Sequence, residues 1–223
     1  MNKHVVVIYP HPDDESFGVA GSIAEFRAEG IPVTYLCGTL GEMGRNMGKP
    51  NIANRETLPE VRKLELLKAC DVLDIDIEML GYRDKTLEFE DRPTVSKHLK
   101  EYLDEIKPHL VITHYPEHAV HPDHNALGAA AIEAVQMMNK ENRPVVWAQA
   151  ITNDFHEVLG KPDVINDVSK HINKKMEAIF SHVSQASGVL SQFAERESID
   201  EELKNDVARR FSLEQFYIWN YSD

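Results

Sequence analysis

The 223-residue chain has few cysteines, few basic residues for its size and no long apolar run. Its two cysteines, Cys37 and Cys70, lie far apart in apolar surroundings, which favours buried thiols over a disulfide or a thiolate metal site. Lysine and arginine total 24 against 37 aspartates and glutamates, a formal net charge of −13. This balance argues against nucleic acid or an anionic membrane as a partner.

Targeting, membrane and linker signals are also missing. No apolar run is long enough to cross a bilayer and no signal peptide precedes the first apolar segment, so we expect a soluble, cytoplasmic protein. No linker-like stretch divides the chain, and its length suffices for one sizeable core. The sequence therefore predicts a single domain over residues 1–223, with the part after about residue 150 as a less readable extension of it.

Nucleotide-binding signatures are absent as well. No GxGxxG follows the first predicted strand, and residues 44–50 (GRNMGKP) depart from a Walker loop, because three residues rather than four separate the glycines and a proline follows the lysine. We interpret this glycine-rich segment as a loop over a ligand site. Its basic residues Arg45, Lys49 and Arg55 are candidates to meet an anionic substrate.

Apolar runs alternate with helical patterns, which predicts an α/β protein with a mostly parallel sheet. Strands are predicted over 5–9, 33–37, 75–80, 109–114, 144–150 and 163–168. Helices are predicted from residue 14 to Gly30 and over 57–73, 95–106, 122–138, 169–180 and 201–211. The helix at 57–73 has Val61, Leu64, Leu67 and Cys70 or Val72 near helical spacing, and it is expected to begin with a capping box of Thr57 and Glu60.

Two similar elbows follow two of these strands. His11-Pro12-Asp13-Asp14 follows the first, and His121-Pro122-Asp123-His124 follows the strand at 109–114. Helix capping explains one acidic residue but not all of them. Because parallel strands present their carboxyl ends at one edge, the two elbows converge if their strands are neighbours. Two imidazoles and one carboxylate leave open positions on a divalent metal, which is typical of a catalytic site.

These paired motifs resemble those of the LmbE-like (PIG-L) metal-dependent deacetylases. Four further segments look like family features in family order: residues 39–42 (TLGE), Arg62-x-x-Glu65, residues 81–84 (GYRD) and His182-x-Ser184-Gln185. The resemblance implies a Rossmann-like, mostly parallel sheet with helices on both faces, usually bound zinc, and hydrolysis of an N-acetyl group from a sugar amine. Within the family the chain looks most similar to the bacillithiol-biosynthesis deacetylases, which act on N-acetylglucosaminyl-malate.

The resemblance also implies a role for each site residue. Metal binding falls to His11, Asp14 and His124, which leaves Asp13 free as the general base for an attacking water. A protonated His121 would stabilise the oxyanion, with Asp123 orienting it. Substrate contacts fall to two residues, Arg62 for an acidic aglycone and Asp84 for sugar hydroxyls.

Several alternatives stay open at this stage. The same site would suit an amidase that cleaves a larger thiol conjugate, or a metal- or sugar-binding module without turnover. Two histidines and one carboxylate suit iron(II) as well as zinc. The expected partner is a small N-acetylated sugar, and the sequence does not decide whether the chain forms a homo-oligomer.

Overall fold

The computed structural model describes residues 3–47, 51–186 and 211–221. Over these residues, seven strands form one sheet in the order β3-β2-β1-β4-β5-β7-β6. The strands are β1 (Val5–Tyr9), β2 (Val33–Cys37), β3 (Asp76–Met79), β4 (Leu110–His114), β5 (Val145–Gln149), β6 (Val164–Asp167) and β7 (Leu213–Ile218). The first five are parallel, and β7 runs antiparallel to both of its neighbours.

The helices of the described residues cover both faces of this sheet. They are α1 (Asp14–Gly18), α2 (Ala20–Ala28), α3 (Leu58–Leu73), α4 (Arg92–Ile106), α5 (Pro122–Gln136), α6 (Phe155–Leu159) and α7 (Ile172–Ser181). Successive β1 side chains point to opposite faces. Val5 and Val7 therefore join a core with α2, α3 and α7, whereas Val6 and Ile8 join one with α4 and α5. The predicted α/β architecture is confirmed.

The two elbows lie side by side because β1 and β4 are hydrogen-bonded neighbours. Their register pairs Val5 with Leu110 and Ile8 with Thr113, so both strands end at the same level. The strand order reverses between them, since β2 and β3 continue on one side and β5 on the other. Such a reversal opens a crevice at the carboxyl edge, where ligands bind in open α/β sheets.

The apolar spacing of α3 matches its buried face at Cys70 but not at the earlier positions. Leu64 and Leu67 are 67% and 40% exposed, and Val61 is half-buried. The helix instead turns a face containing Arg62 and Glu65 inward, at 4% and 8% exposure. Apolar spacing alone misses this face because two of its buried positions carry charged side chains with partners inside the protein.

The start of α3 also differs from the prediction. The Thr57 side chain makes no cap hydrogen bond, so the predicted capping box with Glu60 is wrong. The side-chain oxygen of Asn54 accepts the N–H groups of Glu56 and Thr57, each at 2.9 Å. An Asx-type turn thus precedes the helix and satisfies the N–H of Thr57, one of the two backbone donors that the box would have used.

The C-terminal part adds β7, which the sequence did not suggest. This strand fills the space between β5 and β6 and buries Glu214 and Phe216. The predicted helix over 201–211 lies outside the described residues, except at its last position.

Among the described residues, none of the helices combines the length and apolar character that crossing a bilayer would require.

Gly128 lets α5 pack closely on β4, which gives a prediction about stability. A Cβ at this position would lie 2.5 Å from the carbonyl oxygen of His114. Helix propensity alone would make Gly128→Ala stabilising by about 0.5–1 kcal/mol, but overpacking costs about 1–3 kcal/mol. We therefore expect Gly128→Ala to lower the free energy of unfolding measured in urea. The control is Ala129→Gly at the next position of α5, which measures the effect of helix propensity alone. A gain for Gly128→Ala would contradict this account of the packing.

Candidate active site

The first elbow places Asp13 in an unusual backbone conformation. Its φ of 106° and ψ of −29° lie in the left-handed region, which Asp and Asn tolerate better than most residues. Its carbonyl oxygen accepts the N–H groups of Ser16 and Phe17 at 2.9 and 3.0 Å, so α1 starts directly after it. The Asp14 carboxylate folds back and accepts the N–H of His11 at 2.9 Å. The turn thereby brings the His11 ring and both aspartates to the end of β1.

The second elbow is built by the N-terminus of α5. His121 is the N-cap residue, and its Nδ1 accepts the backbone N–H of Asp123 at 3.1 Å. This hydrogen bond requires a lone pair on Nδ1, so a neutral ring carries its proton on Nε2. Burial lowers the pKa of His121, and the positive charges of His11 and His124 lower it further. The surroundings therefore favour a neutral His121 that offers an Nε2–H donor.

Three side chains converge in a group that can hold a metal. His11 Nδ1 and His124 Nε2 are 3.1 Å apart, and the Asp14 carboxylate oxygens lie 3.4 Å from the first and 3.3 Å from the second. One donor atom from each residue lies within 4.8 Å of the other two. These are the two imidazoles and one carboxylate that the sequence suggested for a divalent cation.

The remaining nitrogens of both histidines fit metal binding as well. His124 Nδ1 lies 3.0 Å from the carbonyl oxygen of Ala119. His11 Nε2 lies 3.2 Å from Asp84 and 3.3 Å from Asp123. A ligating histidine usually donates its second N–H to such an oxygen, which orients the ring and leaves the other lone pair for the metal. The residues present therefore fit a divalent metal.

A second group, formed by His11, Asp84 and His121, also has its donor atoms within 4.8 Å. It shares the His11 ring, and one neutral imidazole offers one lone pair. His121 Nδ1 already accepts a backbone N–H, so the neutral ring carries its proton on Nε2 and has no lone pair left for a metal. The group with Asp14 and His124 is thus the better candidate.

Asp13 stands beside the metal-binding group without belonging to it. Burial raises its pKa to about 6, an effect that the charge of Arg62 opposes and that of Asp14 assists. Burial also acts on Asp14, but the charge and hydrogen bond of His124 and the hydrogen bond of His11 hold its pKa well below the usual range. The two adjacent carboxylates therefore differ in proton affinity, with Asp13 the more basic.

Arg62 is buried beside the first elbow. It donates to the carbonyl oxygens of Pro12 and Gly41, and its Nη2 lies 3.3 Å from the Asp13 carboxylate. A Cβ at Gly41 would overlap the guanidinium, so this glycine makes room for it. Arg62 thus contacts both the backbone and the Asp13 carboxylate of the first elbow.

Asp84 and Asp123 connect the loops that surround the site. The N–H of Asp84 donates to the Glu42 carboxylate at 3.0 Å. The buried carboxylate of Asp123 accepts the N–H groups of Lys85 and Leu87 at 2.6 and 3.2 Å and faces His11. Asp123 was expected to orient His121. Its backbone N–H contacts His121, while its side chain faces His11.

The roles of four buried residues were missed at the sequence level. His182 contacts Glu15 at 2.7 Å, and Ser184 donates its N–H and hydroxyl to Glu65 at 2.7 and 2.6 Å. Glu15 directly follows the first elbow and the other three occur in motifs given above, but spacing along the chain does not reveal contacts between segments more than a hundred residues apart. His114 was also missed. Its ring stacks on His124 with centroids 4.1 Å apart, and burial holds its pKa well below the usual range.

Known proteins are similar to this chain in sequence and in architecture. A model of the family described as "PIG-L: GlcNAc-PI de-N-acetylase" matches residues 6–135. A Bacillus subtilis (strain 168) protein named "Probable N-acetyl-alpha-D-glucosaminyl L-malate deacetylase 2" is 49% identical over 227 residues, covering 100% of both chains. These matches extend well beyond the two elbows.

Among solved structures, the 4-carboxy-2-hydroxymuconate hydratase GalB of Pseudomonas putida KT2440 has a TM-score of 0.75 at 18% identity, covering 99% of this chain and 98% of that one. The N,N'-diacetylchitobiose deacetylase of Pyrococcus horikoshii has a TM-score of 0.69 at 23% identity, covering 97% and 84%. At these identities the likeness concerns the fold alone. The family match and the full-length relative identify this chain as a member of the PIG-L family.

Proposed function

We propose that the protein is a metal-dependent hydrolase that removes the N-acetyl group from an N-acetylglucosaminide, with N-acetylglucosaminyl-malate as the favoured substrate. The observation that carries this proposal is the Asp13 carboxylate, which lies beside the metal-binding group without belonging to it. The name of the Bacillus subtilis relative supports the substrate class. A single domain and a cytoplasmic location, expected from the sequence, are part of the proposal.

The fold by itself does not choose the reaction, since one structural neighbour is named a hydratase and another a deacetylase. The choice depends on the side chains at the site. We propose zinc as the metal, with iron(II) as the alternative that the same ligands would accept. When bound, the metal would supply Lewis-acid polarisation of the amide carbonyl and lower the pKa of a water.

The chain's own residues supply the proton transfers and the hydrogen bonding. Asp13 accepts a proton from the attacking water and returns it to the departing amine. His121 offers its Nε2–H to the carbonyl oxygen, on which negative charge develops. The sequence suggested a protonated His121 for this task. The hydrogen bond at Nδ1 favours the neutral ring, which can still donate.

Binding of the aglycone requires a positive charge that solvent can reach. Because Arg62 is buried and bonded to Pro12, Gly41 and Asp13, we propose that Arg45 and Arg55 rather than Arg62 meet the malate carboxylates. Both side chains are exposed. The third candidate, Lys49, lies outside the described residues, and the sugar contact expected for Asp84 stays a proposal.

The loop that carries Arg45 is anchored on both sides, which favours a defined position for its charge. Met43 donates its N–H to Asp84, and Met47 donates its N–H to the carbonyl oxygen of Ser184 at 2.7 Å. The carbonyl oxygen of Arg45 accepts from the Gln185 side chain at 3.0 Å. A fixed loop loses less conformational entropy when it binds a ligand.

This proposal predicts discrimination between substrates by charge. A charge-assisted contact contributes about 1.5–3 kcal/mol, so N-acetylglucosaminyl-malate should exceed its neutral methyl glycoside in kcat/KM by about ten- to a hundredfold. Free N-acetylglucosamine, which also lacks the malate carboxylates, should have a kcat/KM as low as that of the methyl glycoside. Arg45→Ala or Arg55→Ala should reduce the preference, and Arg62→Ala should lower kcat/KM for all three substrates together.

The matched control is Lys68→Ala, which removes an exposed positive charge from α3. The preference for the malate substrate should survive this change if it arises from direct contact with Arg45 or Arg55 rather than from the net charge of the protein. Equal efficiency of the parent on all three substrates would exclude an acidic aglycone while leaving deacetylation untouched. A preference lost only in Arg62→Ala would return the anion contact to that residue.

A further inference from the structure

The strained backbone of Asp13 needs support from its surroundings. A residue other than glycine at φ 106° keeps this conformation only where neighbouring groups hold it. Its carbonyl oxygen is fixed by the first turn of α1. Its N–H points the other way and donates to Oε2 of Glu15 at 3.0 Å. The carboxylate of Glu15 therefore binds the backbone of the proposed general base.

Glu15 is itself held in place by further donors. It is fully buried, and its Oε1 accepts the Ser16 hydroxyl at 2.6 Å and the Nε2–H of His182 at 2.7 Å. His182 directly follows α7 and lies 167 positions later in the chain than Glu15. It is also fully buried, and its Nδ1 has no hydrogen-bond partner among the described residues.

Neither member of this pair has a role in the proposed chemistry. His182 and Glu15 are outside both groups that can hold a metal. Stability is a weak explanation for such a pair, because desolvation offsets most of the attraction between buried charges. The geometry offers a better explanation, since two consecutive hydrogen bonds, of 2.7 and 3.0 Å, lead from His182 through Glu15 to the N–H of Asp13.

We propose that Glu15 and His182 are positioning residues that hold the Asp13 backbone and thereby aim its carboxylate at the reacting water. This inference rests on the proposed function. It gives the late His182-x-Ser184-Gln185 motif a part in catalysis: the segment after α7 fixes the general base at the opposite end of the sequence.

The first test is a kinetic comparison on N-acetylglucosaminyl-malate. His182→Ala should lower kcat by about ten- to a hundredfold, because misplacing a reacting group by about 1 Å can cost a hundredfold. KM should change by less than about twofold, since His182 is not among the groups proposed to bind substrate. His182→Gln should restore most of kcat, because its amide nitrogen can replace Nε2 as the donor to Glu15. If the alanine variant does not fold, His182→Leu replaces it in this test, because leucine fills more of the space of the histidine ring but cannot donate a hydrogen bond to Glu15.

A double-mutant cycle separates positioning from a general structural effect. If His182 acts through Asp13, then adding His182→Ala to Asp13→Asn should lower kcat by less than about twofold further. An equal loss in both backgrounds would overturn the proposal.

The protein offers a matched control in a second buried pair, whose lysine lies in α7. Lys175 is 1% exposed and its Nζ lies 2.6 Å from Glu214, which accepts the N–H groups of Gly21 and Ser22 in α2. This pair also joins α7 to the backbone of an N-terminal helix, but it does not contact Asp13. Lys175→Met should lower the stability measured by urea unfolding, because it leaves Glu214 without its buried partner. The kcat of this variant should stay within about twofold of the parent value.

Amide hydrogen exchange at Asp13, measured by NMR, provides a readout that needs no substrate. Exchange should accelerate in His182→Ala and stay at the parent rate in Lys175→Met and His182→Gln. Unchanged exchange at Asp13 in both His182→Ala and His182→Leu would overturn the proposal. If the parent releases no acetate, the proposed function fails, and the exchange data still decide whether this pair holds the Asp13 backbone.

Discussion

Asp13→Asn should retain the metal and lose about 10²- to 10⁴-fold in turnover, the usual contribution of a general base. Asparagine keeps the size of the side chain, tolerates the left-handed backbone at this position and can still accept a hydrogen bond from Arg62. It cannot take a proton from water. Because Asp13 is outside the metal-binding group, elemental analysis of the purified variant should find the parent's metal content.

Two outcomes would contradict this account of Asp13. Near-normal turnover would assign the base to another group. Loss of the metal together with activity would make Asp13 a ligand rather than a base. Asp14→Asn is the matched comparison on the adjacent residue, since the same chemical change there should weaken metal binding as well as turnover.

Removal of any one metal ligand should abolish both the metal and the activity. His11→Ala, Asp14→Ala and His124→Ala each leave two protein ligands, too few for a stable site. We expect turnover below detection in each variant, measured together with metal content after purification. His118→Ala is the control, because this histidine lies in the same loop as His121 and is outside the group.

The combination of results decides this prediction. Full metal content in any of the three alanine variants would remove that residue from the ligand set. Loss of metal in His121→Ala, with the metal retained in Asp14→Ala, would favour the second group, in which His11 is shared with Asp84 and His121.

Much of the site could be predicted from the sequence because its chemistry is concentrated in two short elbows. A buried β-branched run identifies β1, Pro12 ends this strand signal, and Pro122 marks the start of α5. The convergence of His11 and His124 then follows from the parallel pairing of β1 with β4. These inferences use local spacing and one general property of parallel sheets.

The parts that could not be predicted depend on contacts between distant segments. The burial of Arg62 results from carbonyl oxygens that the first elbow and the following loop present to it. The link between Glu15 and His182 joins positions that only the packing of α7 against α1 brings together. Apolar periodicity assigns charged residues to the surface, so it missed the part of the buried face of α3 that carries Arg62 and Glu65.

The most direct test of the central claim is the release of free amine and acetate from N-acetylglucosaminyl-malate by the purified protein in three states. These states are the metal-loaded protein, the protein after chelation, and the chelated protein with zinc restored. The account predicts turnover in the first state, loss of at least about a hundredfold in the second, and recovery in the third. Turnover that persists without metal, or no release by fully loaded protein, would contradict the assignment of this chain as a metal-dependent deacetylase.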